Sequence, residues 1–135
     1  MTDQRPTILV CDDEPDVRGM LEEYLKRRGF DVILAEDSIV LRAKIADHAV
    51  DLILLDINMP RMNGFELKQR LSEISTLNTI PVIFLTTSSA PSDIDNAYKL
   101  GGNAYLTKPG DLGGMRRVVE SFSAFWLRSA QLPQR

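Results

Sequence analysis

One cysteine, one histidine and one tryptophan occur among 135 residues, and no apolar run approaches the length of a membrane span. With Cys11 alone, no internal disulfide can form, and a reducing, cytoplasmic location is the simpler expectation. The single histidine, His48, stands near the end of a polar helical stretch, far in sequence from any acidic cluster, and is no catalytic candidate. Basic charge is not in excess. Lysine and arginine number 16 against 19 aspartates and glutamates, for a net charge of −3, and this argues against the basic stripe of a nucleic-acid binder. The N-terminus, MTDQRPT, has no apolar segment and is not a signal peptide. Repeats, low-complexity tracts and Pro/Gly/Ser-rich linkers are also missing. The expectation is one domain over residues 1–135, with a core from about 7 to 128, short polar tails, no output domain and no membrane partner.

What is present is a set of short apolar runs alternating with amphipathic stretches. Thr7–Cys11 (TILVC), Phe30–Ala35 (FDVILA), Val50–Asp56, Ile80–Thr86 (IPVIFLT) and Ala104–Thr107 (AYLT) read as strands. Between them, Pro15 opens a helix whose apolar face is Val17, Met20, Leu21, Tyr24 and Leu25, stopped by Gly29. Ser38 can cap a second helix to about Asp47, with Ile39, Leu41 and Ile45 among its apolar positions. A third runs from about Gly64 to Leu77, with Phe65, Leu67, Leu71 and Ile74 inward. Ser92–Leu100 is a short fourth helix, and Asp111 caps a fifth that reaches about Arg128. Strand and helix alternating five times predicts an α/β fold, a flavodoxin-like (βα)5 doubly wound parallel sheet with strand order 2-1-3-4-5.

Polar residues gather at the strand ends. The first strand ends in Asp12-Asp13, the third in Asp56, the fourth in Thr86-Thr87 and the fifth in Lys108. In a sheet of this topology all of them face one crevice at the carboxyl edge. Three carboxylates cannot share a site cheaply unless cations arrive. Lys108 supplies one charge, and a hard divalent cation with oxygen ligands, Mg²⁺, suits the remainder. A carboxylate beside such a metal, a lysine and a hydroxyl can act as a nucleophile toward a phosphoryl group.

The segments ILVCDDE, DLILLDINMPRMNGFEL, PVIFLTT and GGNAYLTKP, in this order and spacing, resemble the receiver domain of two-component response regulators over residues from about 7 to 125. The resemblance implies that Asp56 is the phosphoacceptor, taking a phosphoryl group from a histidine kinase. It makes Asp12, Asp13 and Asp56 the metal-binding carboxylates and gives the backbone carbonyl of Asn58 the same duty. Thr86 becomes the switch hydroxyl, Lys108 the ion-pair partner of the acyl phosphate, and Tyr105 the aromatic that turns inward when Thr86 moves. The peptide bond between Lys108 and Pro109 is expected to be cis. The output surface is expected on the face made by the fourth helix, fifth strand and fifth helix. Asn63, where the family commonly has aspartate, and Gly110, where it often has a bulky apolar residue, depart from the pattern. With Gly113-Gly114, Gly110 points to a loose start of the last helix.

The C-terminal stretch VVESFSAFWLRSAQLPQR carries more apolar surface than one core-facing stripe needs. Leu112, Met115, Val119, Phe122 and Trp126 share a face, and Val118 and Phe125 widen it. Periodicity alone leaves a core helix and an interface helix both open. The FWL…LP ending is similar to that of single-domain regulators that partner cyanobacterial and bacterial phytochromes. This implies a bacteriophytochrome-type kinase as partner and a homodimer that uses Phe122, Phe125 and Trp126. Two other functions fit less well. A phosphohydrolase of the haloacid dehalogenase type wants Asp-x-Asp after its first strand and a cap insertion. A flavin carrier wants a phosphate-binding loop where Asp12-Asp13-Glu14 would repel phosphate. A receiver that folds without accepting phosphate is the bland alternative, and the full residue set argues against it.

Overall fold

The computed structural model describes residues 5–56, 66, 80–86, 91–99, 104–108, 111–122 and 124; of Thr86 and Leu112 it describes the backbone. In chain order the elements are β1 (Thr7–Cys11), α1 (Pro15–Arg27), β2 (Asp31–Ala35), α2 (Ser38–Asp47), β3 (Leu52–Leu55), β4 (Val82–Thr86), α3 (Pro91–Lys99), β5 (Ala104–Thr107) and α4 (Leu112–Phe122). The five strands form one sheet in the order β2-β1-β3-β4-β5, and every pairing is parallel. This is the flavodoxin-like α/β architecture that the alternation predicts. The helices α3 and α4 are the fourth and fifth expected from the sequence. The third, with Phe65, Leu67, Leu71 and Ile74, lies outside the described residues apart from Glu66, which is helical.

The strands read as unbroken apolar runs because both of their faces are buried. Side chains alternate across the sheet. Leu9, Cys11, Ile53, Leu55, Val82 and Phe84 pack on one face with Leu41 of α2 and Ala97 of α3. Ile8, Val10, Leu52, Leu54, Ile83 and Leu85 pack on the other with Val17, Leu21 and Leu25 of α1 and with Met115, Val119 and Phe122 of α4. Burying each such large side chain stabilises the fold by about 1.5–3 kcal/mol.

Several local expectations need correction. The N-cap of α2 is Asp37, not Ser38: Asp37 is extended (φ −155°, ψ 179°) and its Oδ1 accepts from Val40 N–H at 2.9 Å, leaving Ser38 as the first helical residue. Ile39 is 53% exposed while Leu41 is fully buried, because positions two apart on a helix cannot share a face. Phe122, expected at an interface, is 4% exposed and lies in the core with Met115 and Val119. Its ring therefore fills the space between α4 and the sheet and is not offered to a partner; Phe125 and Trp126 lie outside the described residues. The start of α4 is capped by Asp111, whose Oδ1 accepts from Gly114 N–H and whose carbonyl accepts from Met115 N–H.

Two glycines separate space from backbone conformation. Gly19 lies within α1 and Gly29 follows its end with φ +93°, and an added Cβ would meet nothing within 4 Å at either position. Gly19→Ala is expected to stabilise the chain by about 0.5–1 kcal/mol, through helix propensity. Gly29→Ala is expected to destabilise it by about 1–2 kcal/mol, because an L-residue resists that φ. Thermal unfolding of the two variants should shift the midpoint in opposite directions.

Candidate functional site

Parallel register brings the first two acids together. Cys11 pairs with Leu55 across β1 and β3, so Asp12 and Asp56 are each one residue past the end of adjacent strands. Asp56 N–H donates to the Cys11 carbonyl at 2.9 Å, and Asp12 N–H donates to the Ala35 carbonyl at 3.1 Å. The ladder thus continues to the carboxylates and fixes where both side chains leave the sheet. The order reverses between β1 and β3, which is where sheets of this kind bind ligands.

Lys108 follows β5 and crosses over the end of β4 to reach them. Its Nζ lies 2.7 Å from Asp12 Oδ2, 2.7 Å from Glu14 Oε1 and 3.5 Å from Asp56 Oδ2. Asp12, Asp56 and Lys108 are buried, whereas Asp13 and Glu14 are exposed. Asp12 Oδ1 accepts from Glu14 N–H at 2.9 Å in a tight local turn that leads into α1. Arg18, on the first turns of α1, donates from Nη1 to the Asp12 carbonyl at 2.7 Å.

Glu14 and Arg18 are the participants that the strand-end reading passed over. The signal for Glu14 was the third acid in ILVCDDE. Nothing in the sequence aligned it with Lys108, 94 residues away. Thr86 ends β4 in register with Thr107, and Tyr105 is half-buried and packs on the face that holds Phe84. Asn58 and Pro109, with the expected cis bond before it, lie outside the described residues.

The carboxylates of Asp12, Asp13, Glu14 and Asp56 each place an oxygen within 4.8 Å of the others. Among the described residues, the Lys108 ammonium pairs with three of these four acids. The contact between Lys108 and Asp12 Oδ2 is a close ion pair off the line of a hydrogen bond, so that buried oxygen has no hydrogen-bond donor. An all-oxygen donor set, excess negative charge and a buried oxygen lacking a donor fit a hard divalent cation. Burial raises the Asp12 carboxyl above its ordinary value despite the contact with Lys108. Burial also acts to lower Lys108, but its contacts with Asp12 and Glu14 and the charges of Asp12 and Asp56 outweigh that, so its pKa is raised.

The response regulator receiver domain model matches residues 8–120. The chain belongs to this family. It is similar to the response regulator Rcp1 of Synechocystis, at 33% identity over 93% of this chain and 91% of that protein. The solved Mn²⁺-bound form of Rcp1 superposes with a TM-score of 0.88 at 30% identity, over 96% of this chain and 99% of that one. The phosphorylated cyanobacterial phytochrome response regulator RcpA gives a TM-score of 0.90 at 29% identity, over 97% of this chain and 100% of that one. A response regulator in red light signalling of R. palustris gives 0.83 at 30%, over 96% and 99%. Several other curated relatives are longer, and the chain spans 44 to 65% of their length.

Cys11, one residue before this cluster, is buried, and its thiol pKa is pushed up by burial first and then by the charges of Asp12, Asp37 and Asp56. A raised thiol pKa leaves less thiolate at mildly alkaline pH than an ordinary cysteine has. Iodoacetamide at pH 8.5 is therefore expected to leave the native receiver unlabelled and to add one carbamidomethyl group in denaturant, read by intact mass.

Proposed function

We propose that this receiver accepts a phosphoryl group on Asp56 from the phosphohistidine of a histidine kinase, in a Mg²⁺-dependent reaction, and passes the change on through protein contacts. The observation that carries this is Asp56 itself. It is a buried carboxylate held at a strand end by the Cys11 carbonyl, beside Asp12 and 3.5 Å from an ammonium. Burial of such a charge is costly unless it is compensated, and the residues around it provide the compensation that a phosphoryl group also needs.

In this reading an Asp56 carboxylate oxygen attacks phosphorus. An O–P bond forms, the P–N bond to the kinase histidine breaks, and the imidazole leaves with the electron pair. Asp12, Asp13, Asp56 and the backbone carbonyl of Asn58 would hold the metal, which neutralises phosphoryl and carboxylate charge when bound. Lys108 faces the new phosphoryl oxygens as a point charge. The Thr86 hydroxyl moves toward them, and Tyr105 turns into the vacated space. The group adds about two negative charges, enough to bias the face made by α3, β5 and α4 between two pre-existing states. The likeness to Rcp1 and RcpA supports a phytochrome-type kinase as the donor and a single-domain mode of action. It also favours homodimers that use this face and the segment holding Phe125 and Trp126. Mass in solution by light scattering, with and without beryllofluoride, tests the dimer; a monomer in both conditions sinks it.

Incubation with acetyl phosphate and Mg²⁺ should add one phosphoryl group by intact mass, and Asp56→Asn should abolish the addition. Mg²⁺ alone should raise the unfolding midpoint. At ten times its dissociation constant it contributes about 1.4 kcal/mol, and Asp12→Asn should remove most of that gain. A mass shift that survives Asp56→Asn would move the chemistry to another carboxylate.

A further inference from the structure

Glu14 is the member of the acidic cluster that phosphoryl acceptance leaves without a task. Its side chain is 54% exposed, yet its Oε1 accepts a directed hydrogen bond from Lys108 Nζ at 2.7 Å. Asp12 shares the ammonium off the hydrogen-bond direction, and Asp56 stands farther off at 3.5 Å. The well-aimed bond of Lys108 therefore goes to an exposed, rotatable residue rather than to the acceptor.

We propose that Glu14 is a positioning residue: it holds Lys108 toward the start of α1 in the unphosphorylated chain and surrenders it when a phosphoryl group sits on Asp56. The proposal rests on the phosphoryl-accepting reading. An ammonium has three N–H donors and no acceptor, and Lys108 is surrounded by carboxylates that compete for them. Asp12 cannot withdraw, because it is buried and its Oδ1 is tied to Glu14 N–H. Glu14 can, because its carboxylate is already half in water and rotation restores its hydration. A phosphoryl group, with about two charges and three strong acceptor oxygens, outbids one exposed carboxylate. The ion pair with Glu14 must break as it does so. Glu14 thereby weakens the hold of the receiver on its phosphoryl group and favours the resting state.

The test is beryllofluoride affinity at fixed Mg²⁺, with inorganic Mn²⁺ affinity as the second readout. Glu14→Gln keeps the shape and removes the charge. Asp16→Asn makes the same charge change on the first turn of α1, at an acid that is not an ion-pair partner of Lys108. Glu14→Gln is expected to bind beryllofluoride about two- to five-fold tighter, the range of a part-exposed ion pair. Asp16→Asn is expected to match wild type in both readouts, and Glu14→Gln, which removes one charge from the acidic cluster without removing a metal-holding carboxylate of the proposed site, is expected to weaken Mn²⁺ by no more than about five-fold. Equal or weaker beryllofluoride binding in Glu14→Gln overturns the proposal. So does an equal gain in Asp16→Asn, which would make the effect general electrostatics, or a larger loss of Mn²⁺ affinity in Glu14→Gln, which would make Glu14 a metal ligand. A wild-type chain that takes up no beryllofluoride at all overturns the phosphoryl-accepting reading, and this inference with it.

Discussion

Four carboxylates converge on one end of a parallel sheet, and the ammonium of Lys108 is set among them. Everything else in the site follows from that arrangement. Without a cation between Asp12 and Asp56 the two buried charges would repel at short range in a medium that screens poorly. With Lys108 in contact with Asp12 and Glu14 and 3.5 Å from Asp56, the described part of the cluster can fold while still holding more acids than cations. Such a set of oxygens suits a divalent cation. A site that was fully neutralised by the protein would have no such appetite.

The sheet provides the rigidity the arrangement needs. Strands buried on both faces cannot slip by one residue without turning an entire apolar set the wrong way. The pairing of Cys11 with Leu55 is therefore firmly held, and with it the separation of Asp12 and Asp56. Lys108 is delivered from two strands away by the pairing of β4 with β5. The helices contribute differently. α1 begins at the crevice, where Asp12 Oδ1 binds Glu14 N–H and Arg18 binds the Asp12 carbonyl. At its far end Lys26 and Arg27 pair with Glu22 and Glu23, and Arg28 lies 4.8 Å from the centre of the Tyr24 ring. Those exposed pairs contribute little stability each.

Receiver domains with this architecture include the Mn²⁺-bound form of Rcp1 and the phosphorylated form of RcpA, so the scaffold in those proteins accommodates both a metal and a phosphoryl group. In the present chain the acid after the Asp12-Asp13 pair is drawn into the ion-pair network. A residue at that position can thus adjust how tightly the lysine is held without touching Asp56. Tuning of this kind needs no change in the fold, because Glu14 lies at the surface and contributes nothing to either core cluster.

Local pattern was enough to determine the five strands, the four described helices and much of the candidate site. Apolar runs of four or five residues could only be strands buried on both faces, and the residue that ends each run is a local fact. Asp12, Asp13, Asp56 and Lys108, which the structure gathers at one end of the sheet, were legible for that reason. That Ile39 and Leu41 lie on nearly opposite sides of α2 follows from helical period alone, whereas the burial of Leu41 rather than Ile39 was settled by packing. Tertiary structure decided what local pattern cannot encode. The pairing of Glu14 with Lys108 joins residues 94 apart in the chain, and it depends on β5 lying two strands from β3. The burial of Phe122 depends on which side of α4 meets the sheet, and an aromatic on an amphipathic helix reads the same whether it faces a core or a partner. Periodicity specifies which residues share a face; only packing specifies what that face meets.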